Sequence, residues 1–190
     1  IYLNGGNYNI IGKMALAGRN KKETWDQWYT GRFDLHPMKG LSVKGDYSWN
    51  RYSTVQKFHR KEMTQTFPEG RDPYLVETPN YVRNYNSNNI YQAINVWAEY
   101  KKSFNDVHNL SLMAGYNQEE KTYASTSYTM TDLYDNEMPI SDLAINYKEN
   151  EEGSDIWRVQ GAFFRLNYDY RSKYLLEVNG RYDGSSKYAK

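Results

Sequence analysis

The sequence predicts an all-β chain: about six antiparallel strands in three hairpins, a segment of an up-and-down transmembrane β-barrel with long extracellular loops. Three observations predict it. Apolar and polar residues alternate over stretches of about ten residues, the period of a strand whose two faces meet different surroundings. Short and long connections between these stretches also alternate. Finally, 20 tyrosines among 190 residues accompany a mean hydropathy of −0.94. That combination suits a wall in which every second residue meets lipid, polar loops lower the average, and Tyr rings settle at the membrane interface.

The first 22 residues are rich in Gly, Asn and Lys without a sustained period and read as a loop. Alternation starts in residues 23–35, with Tyr29, Gly31, Phe33 and Leu35 opposite Trp28, Thr30, Arg32 and Asp34. After a short turn over residues 36–40, Leu41, Val43, Gly45, Tyr47 and Trp49 alternate with Ser42, Lys44, Asp46, Ser48 and Asn50. Residues 53–89 contain Pro68, Pro73 and Pro79, show no period, and are expected to be a long loop. The second hairpin places Ile94, Val96, Ala98 and Tyr100 opposite Ala93, Asn95, Trp97, Glu99 and Lys101. It turns within residues 103–109 and returns with Leu110, Leu112, Ala114 and Tyr116 on one face. A second long polar loop is expected over residues 120–155. The third hairpin pairs the run Ala162, Phe164, Leu166, Tyr168, Tyr170 with Tyr174, Leu176, Val178, Gly180, Tyr182 across Arg171, Ser172 and Lys173.

Short turns near Pro37, Asn105 and Ser172 match the periplasmic side of an outer-membrane barrel, which puts the long connections and both chain ends outside. All five prolines are expected in turns or loops, because Pro cannot donate to a strand ladder. Six strands cannot close a membrane barrel, and an open edge in lipid leaves backbone groups unsatisfied at several kcal/mol each. The chain is therefore expected to be an internal piece of a longer protein, with any export signal upstream. A formal charge of +1 gives no basic footprint for nucleic acid. There is no cysteine, hence no disulfide or thiolate chemistry. No run of about 18 apolar residues provides a transmembrane helix.

The third hairpin also carries a resemblance. Arg165, Leu166, Asn167, Tyr168 and Tyr170, then Lys173, Tyr174 and Leu175, then Arg181, Asp183, Gly184, Ser185 and Ser186 resemble the barrel strands of SusC/RagA-class TonB-dependent outer-membrane transporters. A second, weaker likeness runs from Phe104 to Glu120 and is similar to a hairpin of that family. The resemblance implies a plugged barrel of roughly 22 strands, with the plug, signal peptide and remaining strands outside this segment. It implies import of glycan or peptide fragments across the outer membrane of a Bacteroidetes-type bacterium. It also implies a SusD-like surface lipoprotein as lid, TonB acting through the plug, and outer-membrane lipid around the wall. Two readings of other classes stand beside it: a siderophore- or cobalamin-type TonB-dependent receptor, and a soluble extracellular β-rich carbohydrate-binding or adhesion module. A plug domain in the adjoining reading frame separates the first, and soluble folding of the isolated chain the second.

The residues offer no argument for an enzyme and call for no cofactor. His36, His59 and His108 are unpaired at metal-ligand or triad spacing and read as solvated turn or loop residues. Glu119 and Glu120 read as strand-end charges. Candidate lumen-facing residues are Lys44, Asp46, Trp97, Glu99, Arg165, Asn167, Arg181 and Asp183. Inward charges of this kind are expected first to pair with one another or with the plug, and second to line a route for polar solute. Phe58, Tyr74, Tyr81, Tyr85, Tyr123, Tyr128, Tyr134 and Tyr147 are candidate loop contacts for carbohydrate or a partner surface.

Overall fold

The computed structural model describes residues 10–65, 72–75 and 77–188. A short helix, α1 (Ile10–Leu16), precedes strands β1 (Asn20–Met38) and β2 (Leu41–Arg60). Two short strands, β3 (Thr64–Gln65) and β4 (Tyr74–Leu75), pair with each other. Then come β5 (Tyr81–Phe104), β6 (His108–Leu133), β7 (Ala144–Tyr170) and β8 (Tyr174–Ser185). The six long strands form one sheet in the order β1-β2-β5-β6-β7-β8, so every strand lies beside its sequence neighbour among the long strands. This is the predicted meander of three hairpins, with β1 and β8 at its edges.

The structure divides into two compact units. One unit contains residues 26–52, 89–123 and 154–190, and with them all three short turns. Lys39 and Gly40 link β1 to β2, with Gly40 at φ +86°, a conformation that glycine adopts without strain. The turn from β5 to β6 is narrower than expected and holds both Asn105 and Asp106 in the left-handed region, which these residue types tolerate. Arg171 and Ser172 adopt the same conformation between β7 and β8. There Asp169 Oδ1 accepts from Ser172 N at 2.6 Å, and Tyr170 O accepts from Lys173 N at 3.0 Å. From the Tyr170↔Tyr174 pair the register runs unbroken to Val159↔Ser185. Pro37 lies inside β1 and not in a turn, because β1 is an edge strand and the missing N–H there costs no ladder bond.

The other unit contains residues 1–25, 53–88 and 124–153, and with them the long connections. Here the structure corrects the sequence reading. The segments 53–89 and 120–155 are largely strand, since β2 runs on to Arg60, β5 begins at Tyr81, β6 reaches Leu133 and β7 begins at Ala144. Only residues 61–80 and 134–143 remain as connections, the second carrying a 3-10 turn at Ser141–Leu143. A membrane crossing needs about 9–11 tilted residues, whereas β5, β6 and β7 have 24, 26 and 27. Beyond the crossing the covered face of these strands is largely polar, with Thr54, His59, Ser127, Thr129 and Thr131 buried, so the apolar–polar alternation that marks a strand in the sequence disappears while the hydrogen-bonded ladder continues. At the N-terminus, likewise, residues 10–16 are helical and 20–22 already belong to β1.

Among the described residues only Met63, Val82, Ala93 and Leu133 are buried apolar side chains. The outward stripe remains open: Tyr47, Leu112 and Val178 are exposed, and Val43, Val96 and Leu166 half-buried. Along β6 the exposure alternates residue by residue from Ser111 to Gln118, with Leu112, Ala114 and Tyr116 among the exposed positions. A water-soluble chain of this length buries most of its large apolar side chains. This sheet leaves Phe33, Leu35, Phe164, Leu176 and Tyr182 at 43–82% exposure, an apolar face of the kind that lipid covers in membrane barrels.

Candidate functional site

In the unit with the short turns, the alternation of β2, β5 and β6 brings polar side chains of one sheet face into register. Asn117 Nδ2 donates to Asn95 Oδ1 at 2.6 Å, and Asn95 Nδ2 donates to Asp46 Oδ1 at 2.8 Å, a polar row across three strands. Beside it Gly115 leaves room for two aromatics: a Cβ there would sit 2.3 Å from Phe163 Cζ and 2.8 Å from Trp97 Cβ. The remaining candidate charges find partners in the wall. Lys44 Nζ lies 3.2 Å from Asp34, and Glu99 2.7 Å from Lys101 Nζ. Arg165 Nε is 3.9 Å from Glu177, the residue registered opposite Asn167. Arg181 Nε lies 2.8 Å from both Asp183 oxygens, a pair along one strand and not across two. Glu120 accepts from Arg158 Nε at 2.6 Å, and Glu119 from Tyr91 OH at 3.1 Å. Carboxylates held this way are wall-builders; none faces a nucleophile or a second free carboxylate.

Two of the three histidines, His59 and His108, are not solvated loop residues, contrary to expectation. His108 Nδ1 is hydrogen-bonded to Tyr168 OH at 2.6 Å and its ring packs 5.0 Å from Tyr170, within an aromatic group that includes the stacked Tyr170–Tyr174 pair. His59 is buried on β2 at 5% exposure. Only His36, two-thirds exposed, meets water freely, although it too lies on a strand and not in a turn.

The unit with the long connections is tied by asparagines. Asn80 Oδ1 accepts from Leu133 N at 2.7 Å while its Nδ2 donates to Leu133 O at 3.1 Å. Asn136 does the same to Glu62, at 2.7 Å from its N and 2.9 Å from its O. Each amide thus stands in for a neighbouring strand and satisfies both backbone groups of one residue. Ion pairs Lys13–Glu77 and Lys61–Glu137 and a hydrogen bond from Thr78 Oγ1 to Glu62 (2.8 Å) fasten the same segment. Local sequence carries no trace of these contacts, because the partners lie 53 and 74 residues apart.

Of the predicted loop aromatics, Phe58, Tyr81 and Tyr85 are on strands β2 and β5. They converge with Gln56 and Arg83 on a cleft of about 310 Å³. Tyr123 and Tyr128 belong to β6 and Tyr147 to β7, outside this cleft, and Tyr134, 85% exposed, sits in the connection after β6. The Tyr74 side chain lies outside the described residues. Gln56 and Arg83 were not singled out from sequence; as lone polar residues in strands without a period they carry no signal.

No family model matches the chain. Over 91 residues, 47% of its length, the chain is 29% identical to a TonB-dependent receptor of Formosa agariphila. Its fold matches the RagAB peptide transporter with a TM-score of 0.78 at 17% identity, over 94% of the chain. It matches the closed form of the RagAB peptide importer at 0.77 and 18% identity, over 93%. The chain spans 9% of the curated relative's length and 19% of each structure's chain. Both comparisons agree with the resemblance to SusC/RagA-class TonB-dependent barrels, and the fold is that of a segment of such a barrel.

Proposed function

We propose that this chain is wall and extracellular rim of a SusC/RagA-class TonB-dependent transporter, importing glycan or peptide fragments across the outer membrane of a Bacteroidetes-type bacterium. The observation that carries the reading is the open six-stranded meander with an apolar face left bare and almost no buried apolar core. A soluble module of this size does not leave such a face to water. The paired carboxylates, the buried His59 and the stacked His108 support a non-enzymatic role. A SusD-like lipoprotein as lid, TonB acting on a plug, and an oligosaccharide or peptide cargo complete the proposal. The two long segments, residues 53–89 and 120–155, with the connections between β2 and β5 and between β6 and β7 that they contain, are the candidate lid and substrate contacts.

An in-frame deletion of residues 61–80 in the whole transporter tests this. The expected result is a barrel that still assembles in the outer membrane, recognised by its heat-modifiable migration, with nutrient uptake and lid-lipoprotein capture lost. Unchanged uptake and capture contradict the proposal.

A further inference from the structure

The cleft between β2 and β5 has a chemistry more specific than a rim. Gln56 and Phe58 are two residues apart on β2, and Tyr81, Arg83 and Tyr85 two apart on β5, so each set projects to one face. The Tyr81 ring is fixed by two neighbours: Phe58 at 5.6 Å between centroids and 30° between planes, and the Arg60 guanidinium 4.6 Å from its centroid. Arg83 is held as firmly, its Nε donating to Ser127 Oγ at 3.0 Å and its terminal nitrogen 3.3 Å from Glu151. Gln56 Nε2 donates to Asn20 Oδ1 at 2.8 Å. An aromatic surface with a planar donor, an amide and a carboxylate at its margin is thus set before any ligand arrives, which lowers the ordering cost of binding.

We propose that Gln56, Phe58, Tyr81, Arg83 and Tyr85 form a subsite for one neutral sugar ring of the transported cargo; this rests on the transporter reading above. Three features select that ligand. Both guanidiniums are already neutralised, Arg83 by Glu151 and Arg60 by Glu77 at 3.5 Å, so an anionic ligand must compete with built-in carboxylates. The flanking strands β1 and β6 occupy both sides of the β2–β5 pair, so an extended peptide finds no open strand edge to pair with. A pyranose ring answers what is offered. Its C–H face meets the negative face of an aromatic ring. Its hydroxyls donate and accept together, as an amide, a guanidinium and a carboxylate require. The volume, about 310 Å³, accommodates a pyranose ring.

The test is calorimetric titration of the purified whole transporter with neutral gluco-, manno- and galacto-configured trisaccharides. A galacturonate trimer and an alanine-rich pentapeptide are titrated alongside. One neutral trisaccharide is expected to bind best. Tyr81→Ala and Arg83→Met are each expected to weaken it about tenfold, the equivalent of one lost stacking or hydrogen-bonding contact, while Tyr81→Phe retains affinity. Heat-modifiable migration of each variant shows that the barrel is intact. Tightest binding of the pentapeptide or the charged trimer overturns the subsite, as does binding of no neutral trisaccharide or indifference to both weakening substitutions. TonB-dependent uptake in the same cells separates the two readings: if uptake persists while the subsite fails, only the subsite is wrong; if uptake is independent of TonB, the transporter reading falls.

Discussion

His59 occupies a position where burial and chemistry conflict. Its Nε2 is one of two buried side-chain nitrogens without a partner among the described residues, the other being Arg60 Nε. Desolvation pushes its pKa below the usual 6.5; Lys61 and Lys57 push the same way, and Glu137 opposes them. The residue lies well past the roughly 9–11 positions of β2 that a membrane crossing uses, on the side of the long connections. Because the folded chain resists protonation more than the unfolded one, the unfolded state binds the extra proton as pH falls below about 6.5, and stability is lost in that direction. Backbone hydrogen exchange around residues 57–62 of the whole transporter is therefore expected to be faster at pH 5.5 than at pH 7.5, relative to the intrinsic rate. In His59→Gln that difference is expected to vanish; an equal pH effect in both proteins contradicts this account of the site.

At the scale of the strand, the two faces of β6 make opposite demands. Leu112 is exposed on the apolar stripe and Ser111 on the other face is half-buried. An arginine near the bilayer midplane on the lipid face costs about 2–4 kcal/mol, whereas the lumen face accepts charge. Leu112→Arg is expected to destabilise the folded transporter by that order in urea titrations in lipid vesicles, and Ser111→Arg by much less; equal effects contradict the assignment of faces. The same contrast explains what was legible in the sequence. Tyr170, Arg171, Ser172, Lys173 and Tyr174 mark a turn between two clean alternations, and the structure turns there. Residues 53–60 and 81–89 hide their strands, because the side chains they bury, Thr54, His59 and Ser87 beside Val82, are mostly polar and the sequence period needs apolar residues on the covered face. The candidate cleft was half visible: Phe58, Tyr81 and Tyr85 stand out as aromatics, but nothing local says that Gln56 and Arg83 join them. Asn80 and Asn136 were invisible, since an asparagine that grips a backbone far along the chain looks like any loop asparagine.

For the molecule as a whole, four buried apolar residues give the described chain little hydrophobic stabilisation of its own; the barrel proposed above would supply what is lacking, hydrocarbon on one face and pairing at the edges β1 and β8. The polar row Asp46–Asn95–Asn117 on the opposite face fits a wet lumen. Since the chain has no cysteine, single cysteines can be placed on either face of the whole transporter, labelled with an environment-sensitive fluorophore and reconstituted in vesicles containing brominated lipid. Labels at Leu112→Cys, Leu176→Cys and Val178→Cys are expected to be quenched strongly by the brominated chains, and those at Ser111→Cys, Asn167→Cys and Glu177→Cys to be spared. Quenching without alternation between the two sets, or none at either, would contradict a wall with hydrocarbon on one side and water on the other.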